Sequence, residues 1–208
     1  AVQALRHATG SQPPIAIRCH NRIPLGGGLG GGSSNAGTTL LALNHCWQLG
    51  LSVDALMDIG TSLGADVPLF VLRHSAFAEG IGEQLTPLAL PRKHFLILVP
   101  EFHVSTQEIF TDKSLTRDSK PIRIRDSLSG HIALRNDCEP VACALYPEIS
   151  EKLAWARQFG NAQMTGTGAC LYLAFDTAEE VSKIAALIPE QWRFFIAQGV
   201  NRLSLSPV

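Results

Sequence analysis

The chain has 208 residues, 46% of them apolar and 17% charged, with a formal net charge of −1 and a pI near 6.7. Such a composition is globular, suffices for one large domain or two small ones, and carries no electrostatic footprint for nucleic acid or an anionic membrane. The longest apolar runs are far too short to cross a bilayer.

Ala1–Ala8 reads as the end of a helix. With no initiator Met, we expect a segment to precede it; the opening residues lack the cationic and apolar regions of a signal peptide. Thr9-Gly-Ser-Gln-Pro-Pro14 is a turn, and the alternating, β-branched run Ile15–Ile23 predicts a strand. There follows Pro24-Leu25-Gly26-Gly27-Gly28-Leu29-Gly30-Gly31-Gly32-Ser33-Ser34. Glycine loses the most backbone entropy on ordering, so this run is expected to be neither helix nor strand. Ser33 or Ser34 then caps a helix expected from about Asn35 to Gln48, with Gly50 near its end and Leu40, Leu41, Leu43, Cys46 and Trp47 on its core face.

Strand, glycine loop and helix N-terminus in that order make an anion site, because free N–H groups and the positive end of the helix dipole meet there. The alternative is a flexible linker; the structured flanks, Leu29 as an apolar anchor and the closing serines favour the phosphate cradle. A Cβ at Gly28 or Gly30 is expected to fill the phosphate space. The loop is not of the Walker type, since Gly-x-x-x-x-Gly-Lys-[Ser/Thr] is absent. Gly26, Gly28 and Gly31 fit G-x-G-x-x-G, but in a run this rich in glycine that match is nearly automatic.

Ser52 predicts the cap of a helix from Val53 to Leu63, with Leu56, Ile59 and Leu63 inward. Beyond it Asp66 stands among apolar residues between Gly64 and Pro68, either a helix cap or a functional carboxylate. His74–Glu79 and Glu83–Pro87 form a hairpin around Gly80-Ile-Gly82, and Leu88–Lys93 marks a domain boundary, giving domains 1–91 and 92–208. His94–Pro100 is an apolar run expected as a central strand. Ser105–Pro121 is polar and reads as a loop, in which Phe110 either anchors the loop or offers a stacking platform. Helices broken at Pro147 follow Asn136-Asp-Cys-Glu139, with Leu153, Trp155 and Phe159 available for packing. Gln163–Cys170 is a second glycine device, a plain hairpin turn or a closure over a phosphate, ahead of the strand Leu171–Phe175. Thr177 caps a helix from Glu179 to Leu187, and Trp192–Val200 is the last strand. The latter half therefore predicts an α+β sandwich with a small sheet. Cys19, Cys46, Cys138, Cys143 and Cys170 include no C-x-x-C pair and have apolar neighbours, which fits free thiols in a reducing cytoplasm.

Pro-x-x-x-Gly-Leu-Gly-x-x-Ser-Ser over Pro24–Ser34 resembles the phosphate loop of the GHMP kinase superfamily, and Thr165-Gly-Thr-Gly-Ala-Cys170 is similar to its third motif. The full glycine run, with Gly64-Ala-Asp-Val-Pro68 and Asn136-Asp-Cys-Glu139, resembles the 4-diphosphocytidyl-2-C-methyl-D-erythritol kinase family of the non-mevalonate isoprenoid route. The resemblance runs from Ala1 to about Asn201. It implies a two-domain α+β fold with an incomplete N-terminal ATP-binding domain, and an ATP-dependent, cytoplasmic phosphotransferase acting on the 2-hydroxyl of its cytidine substrate. It further implies ATP phosphates along Pro24–Ser34, Asp66 as catalytic base, and substrate contacts from Thr106, Phe110, Thr165, Gly166, Thr167 and Gly168. Phe110 would stack on cytosine. Mg2+ would accompany ATP with no protein metal cage, the partner would be the small molecule rather than nucleic acid or membrane, and a homodimer is left open. Two segments the family carries, Pro-Ala-Lys-x-Asn and Gly-Tyr-His, do not occur here; the first supplies a lysine to the catalytic aspartate, so a chain without it is expected to be impaired. A different GHMP kinase, or a catalytically silent nucleotide-binding protein, are the rival readings.

Overall fold

The computed structural model describes residues 1–120 and 135–204. They fall into two compact units. One comprises Ala1–Ile23, Gly30–Pro91 and the residues from Val200 onward; the other comprises Pro24–Leu29 and Arg92–Gly199.

The first unit is four helices and a hairpin. Helix α1 (Val2–Thr9) stops at Gly10, whose φ of 68° is the left-handed conformation glycine adopts without penalty. Helix α2 (Gly31–Cys46) is followed by α3 (Val53–Thr61), whose Ser52 hydroxyl accepts a hydrogen bond from Ala55 N at 3.2 Å as expected. Helix α4 (Val67–Leu72) begins with Pro68 in its first turn. Their inward faces bury Leu5, Leu40, Leu43, Leu56, Val67 and Val71 in one cluster. Glycine sets how closely α2 and α4 approach, since a Cβ on Gly37 would lie 2.8 Å from that of Phe70. Strands β1 (Ala76–Glu79) and β2 (Gln84–Pro87) pair antiparallel as the hairpin expected. Asn201 ties the late chain to this unit, accepting from Leu90 N and donating to Leu90 O, each at 2.8 Å.

Four expectations fail here. Ile15–Ile23 is not a strand. An alternating pattern supplies the face but not the ladder, nothing among the described residues pairs with it, and Ile15, Ile17 and Ile23 are exposed. Helix α2 starts four residues early, because Gly30 in the left-handed region (φ 66°) turns the chain directly into the helix and receives Ser34 N at 2.8 Å. Ser33 and Ser34 are thus first-turn residues rather than caps. Leu63 lies beyond the end of α3 and is exposed, and Cys46 points outward from α2.

The second unit is an antiparallel sheet with strand order β4-β5-β3-β6, where β3 is His94–Val99, β4 Gln163–Met164, β5 Leu171–Phe175 and β6 Arg193–Gln198. The apolar run of β3 takes the central position expected of it, paired with β5 on one side and β6 on the other. Helices α5 (Thr106–Thr111), α6 (Cys138–Leu145), α7 (Pro147–Ala156) and α8 (Ala178–Ala185) complete the unit. Leu96, Leu98, Leu171 and Leu173 from the sheet share its core with Ile109, Val141, Ile149 and Leu153. Trp155 meets Phe159 and Trp192 with ring centroids 4.8 and 5.3 Å apart. Thr177 forms a full capping box with Glu180 at the start of α8. The expected loop from Ser105 contains α5 instead, because Ser105 caps it and Ile109 gives it a buried anchor; Pro121, the last residue of that loop, lies outside the described residues. The α+β architecture stands as expected.

Leu98 is fully buried in the central strand. Leu98→Ala should lower the unfolding free energy by about 2–5 kcal/mol in urea titration, whereas Leu187→Ala, at a side chain 58% exposed, should stay within about 0.5 kcal/mol.

Candidate active site

The glycine run is shared between the two units: Pro24–Leu29 belongs to the second, Gly30–Ser34 to the first. In the second unit the loop is seated on the Thr165 turn. The Thr165 hydroxyl donates to Gly27 O at 2.7 Å, and Cys170 N donates to the same carbonyl at 3.2 Å. The turn closes on itself through Thr165 N to Cys170 O (2.9 Å) and Gly168 N to Thr165 O (2.7 Å). Gly28 has a φ of 70°, and a Cβ there would stand 2.3 Å from Thr165 O. A Cβ on Gly27 would reach Cys170 Sγ at 2.7 Å, and one on Gly26 would reach His103 Nδ1 at 2.9 Å. At Gly28 the excluding atom is backbone, so this glycine is required by the protein's own close approach; at Gly27 the buried Cys170 side chain, and at Gly26 the positive φ of 66°, also weigh against a side chain. The expectation that a side chain at Gly28 or Gly30 would fill ligand space is corrected accordingly: Thr165 occupies the space at Gly28 and the Phe70 ring, 3.0 Å away, that at Gly30.

Burial pushes the Cys170 thiol up to about 11, so it packs the turn as a neutral group. Leu25 is 69% exposed and Leu29 half-buried, so of the two leucines only the latter can anchor the loop.

In the first unit the run becomes the opening of α2. The N–H groups of Gly31, Gly32 and Ser33 precede the first intrahelical bond, the one Ser34 donates. Gly32 faces open space, with nothing within 4 Å of a Cβ. Sixteen residues of helix behind these donors aim a positive dipole end at them. Asp66, in the same unit, occupies the residue before α4, yet its side chain makes no cap hydrogen bond. Its carboxylate is exposed. The cap half of the sequence alternative thus has no bond to support it.

Thr106, Phe110 and Thr167 come together in the second unit. Thr106 and Phe110 are four residues apart on α5 and so share a face. Thr106 Oγ1 lies 3.1 Å from Thr167 Oγ1, which joins that face to the Thr165 turn. Phe110 is 52% exposed beside a fully buried Ile109; Ile109 anchors the helix, and Phe110 is not the side chain that ties it to the core. The Arg117 guanidinium donates to Phe110 O at 2.6 Å and closes the helix end.

Sequence reasoning missed two neighbours of this site. His103 lies against Gly26 without any local motif to announce it. Asn136 stands just before α6 and donates to Met164 O (3.0 Å) and Gly166 O (2.7 Å), while its own oxygen accepts from Cys138 N (3.0 Å). Glu139 adds a bond from Met164 N at 3.2 Å and an ion pair with Arg157. Asp137, between them, is held below the usual carboxylate range by a hydrogen bond from Ser119 and by Arg135. The signal was available: an Asn-Asp pair at a helix entrance usually means that a side chain is capping backbone. Among the described residues no cluster of three His, Cys, Asp or Glu side chains forms a metal site, and no helix is long and apolar enough to cross a membrane.

The chain matches the GHMP kinases N terminal domain over residues 1–74 and the GHMP kinases C terminal region over residues 120–193. It is 48% identical over 201 residues to the 4-diphosphocytidyl-2-C-methyl-D-erythritol kinase of Pseudomonas aeruginosa (strain UCBPP-PA14), a match covering 97% of this chain and 71% of that protein. The enzyme of the same name from Marinobacter nauticus (strain ATCC 700491 / DSM 11845 / VT8) is 48% identical over 207 residues, covering 99% and 72%. A crystal structure of a 4-(cytidine 5'-diphospho)-2C-methyl-D-erythritol kinase superposes with a TM-score of 0.78 at 27% identity, covering 94% of this chain and 76% of that one.

Two alanine substitutions in the glycine run should behave oppositely. Gly28→Ala forces a left-handed backbone worth roughly 1–2 kcal/mol and a collision with Thr165 O, so both melting temperature and nucleotide binding should fall. Gly32→Ala enters open space in a helix, where alanine gains about 0.5–1 kcal/mol over glycine. Its melting temperature should hold or rise while nucleotide affinity, measured by calorimetry, drops. Unchanged affinity in Gly32→Ala would mean that the helix entrance holds no nucleotide phosphate.

Proposed function

The chain belongs to the 4-diphosphocytidyl-2-C-methyl-D-erythritol kinase family of GHMP kinases, and on that premise we propose how it phosphorylates the 2-hydroxyl of its cytidine substrate with ATP. The observation that carries the reading is the 48% identity over 97% of the chain. The seating of Gly27 and Gly28 on Thr165 supports it, because a phosphate loop must be rigid before the ligand arrives.

We assign residues 1–91 to ATP binding and 92–208 to substrate binding, with Pro24–Ser34 receiving the ATP phosphates on backbone N–H groups and the α2 dipole. Mg2+ would enter with the nucleotide, since no cluster of three His, Cys, Asp or Glu side chains among the described residues would hold it, and would supply charge neutralisation to the transferred phosphoryl group. Asp66 accepts the proton of the attacking hydroxyl, a role open to a carboxylate that makes no cap bond. Thr106 and Thr167 offer paired hydroxyls to the substrate, Gly166 and Gly168 let the turn approach it closely, and Phe110 stacks on the cytosine. Five free cysteines suit a cytoplasmic enzyme.

Substrate class is tested by a panel of acceptors assayed with the full-length protein. The cytidine-linked methylerythritol should be phosphorylated and homoserine and mevalonate left alone; comparable turnover of either would overturn the assignment. Base stacking is worth about 1–3 kcal/mol, so Phe110→Ala should raise KM for the cytidine substrate about tenfold or more without moving KM for ATP. Equal losses for both ligands would mean that Phe110 serves the fold of α5.

Asp66→Asn keeps the shape of the side chain but cannot take up a proton. In the full-length protein kcat should fall by roughly 10²–10⁴, with ATP affinity and melting temperature unmoved. Turnover within a few-fold of the unaltered enzyme would place the base elsewhere.

A further inference from the structure

Strand β4 is two residues long and pairs with β5 through Gln163↔Tyr172 and Met164↔Leu171. So short an edge strand gives the turn that follows it two register positions of ladder, continued by Thr165 N to Cys170 O. What holds the turn from the other side is the entrance to α6. Asn136 presents two donors to two carbonyls of the turn, Met164 O and Gly166 O, and one acceptor to Cys138 N. Both ends of the amide are thus assigned. A carboxylate of the same shape would put negative oxygen against two carbonyl oxygens, a hydroxyl would be too short, and an apolar residue would leave the carbonyls without their donor. Glu139 adds a bond from Met164 N and is itself paired with Arg157. The contacts then run onward: Thr165, between the two carbonyls that Asn136 holds, donates to Gly27 O and packs its carbonyl on Gly28.

We propose that Asn136 is a positioning residue of the phosphoryl transfer, setting the Thr165–Gly168 turn and, through Thr165, the Gly27–Gly28 segment of the phosphate loop. It touches neither ATP nor the acceptor itself. Its effect falls on how the phosphates are held for transfer, so it acts on kcat more than on recognition of the cytosine. The inference rests on the reading of Pro24–Ser34 and the Thr165 turn as phosphate-binding.

The test compares Asn136→Asp, Asn136→Ala and Thr165→Val in the full-length enzyme, with kcat and both KM values expressed per folded molecule well below the melting transition. Asn136→Asp should lose about 100-fold or more in kcat at pH 8, with KM for the cytidine substrate within about threefold. Facing two carbonyls, the new carboxyl should have its pKa raised above the ordinary value near 3.9. As pH falls through it, the protonated acid regains one donor, and kcat of Asn136→Asp relative to the unaltered enzyme should rise. Asn136→Ala has no such group and should show no recovery; it also keeps the proposal open to test if the aspartate variant does not fold. Kinetics within threefold of the unaltered enzyme for either folded Asn136 variant, or equal losses in kcat and cytidine affinity with no recovery at low pH, would overturn the proposal. If Thr165→Val is also silent, the phosphate-binding reading of the turn fails with it. If Thr165→Val alone is crippled, only the role of Asn136 fails.

Discussion

The grip of Thr165 on the glycine loop is the constraint on which the second unit's site depends. One side chain and one carbonyl do it: the hydroxyl takes Gly27 O, and the carbonyl sits where a side chain on Gly28 would otherwise be. Each bond is worth only about 0.5–1.5 kcal/mol net, so the arrangement is stable because several act on one short stretch. Cys170 N shares Gly27 O, Gly168 N closes the turn beneath it, and the buried Cys170 side chain fills the gap behind Gly27. A threonine is well suited to the post, since its branched Cβ has few rotamers to lose.

Around that grip the unit separates buried anchoring residues from exposed ones. Ile109 is buried so that Phe110 can be exposed; Leu171 and Leu173 are buried so that the turn before them can be held at the sheet's end. Helix α5 is six residues long and would not persist alone. Its Ser105 cap, its one core residue and the Arg117 closure of its last carbonyls keep Thr106 and Phe110 on a fixed face. Preorganisation of this kind matters for phosphoryl transfer, where placement and charge neutralisation do most of the work and little covalent help is needed.

Elements with a local signature were legible in the sequence. Ser52 and Thr177 announce α3 and α8 because a capping hydroxyl acts within three residues, and β3 announces itself by an unbroken apolar run. What failed depended on distant partners or on backbone alone. Ile15–Ile23 has the pattern of a strand, yet a strand exists only where another strand meets it. Gly30 starts α2 through its left-handed backbone, leaving the serines, which look like caps, inside the first turn. Polar composition concealed α5, whose helicity depends on Ile109 finding the core. In the site, the chemistry-bearing types could be named but the reason for individual glycines could not. The atoms that exclude a side chain at Gly28 belong to a residue far along the chain.

That separation has a consequence for how the protein is made. Thr165 and Gly27 are 138 positions apart, and a ribosome adding about 5–20 residues per second presents them several seconds apart or more. Throughout that interval the nascent glycine loop lacks the residue that seats Gly27 and Gly28, even though the helices of the first unit have already emerged. Long-range closure of this kind also slows folding relative to local helix formation. A truncated nascent chain ending before Thr165 therefore contains every glycine of the loop and its contacts with Phe70 and His103, but lacks the turn that holds Gly27 and Gly28, so that the loop takes its final shape long after the motif itself is made.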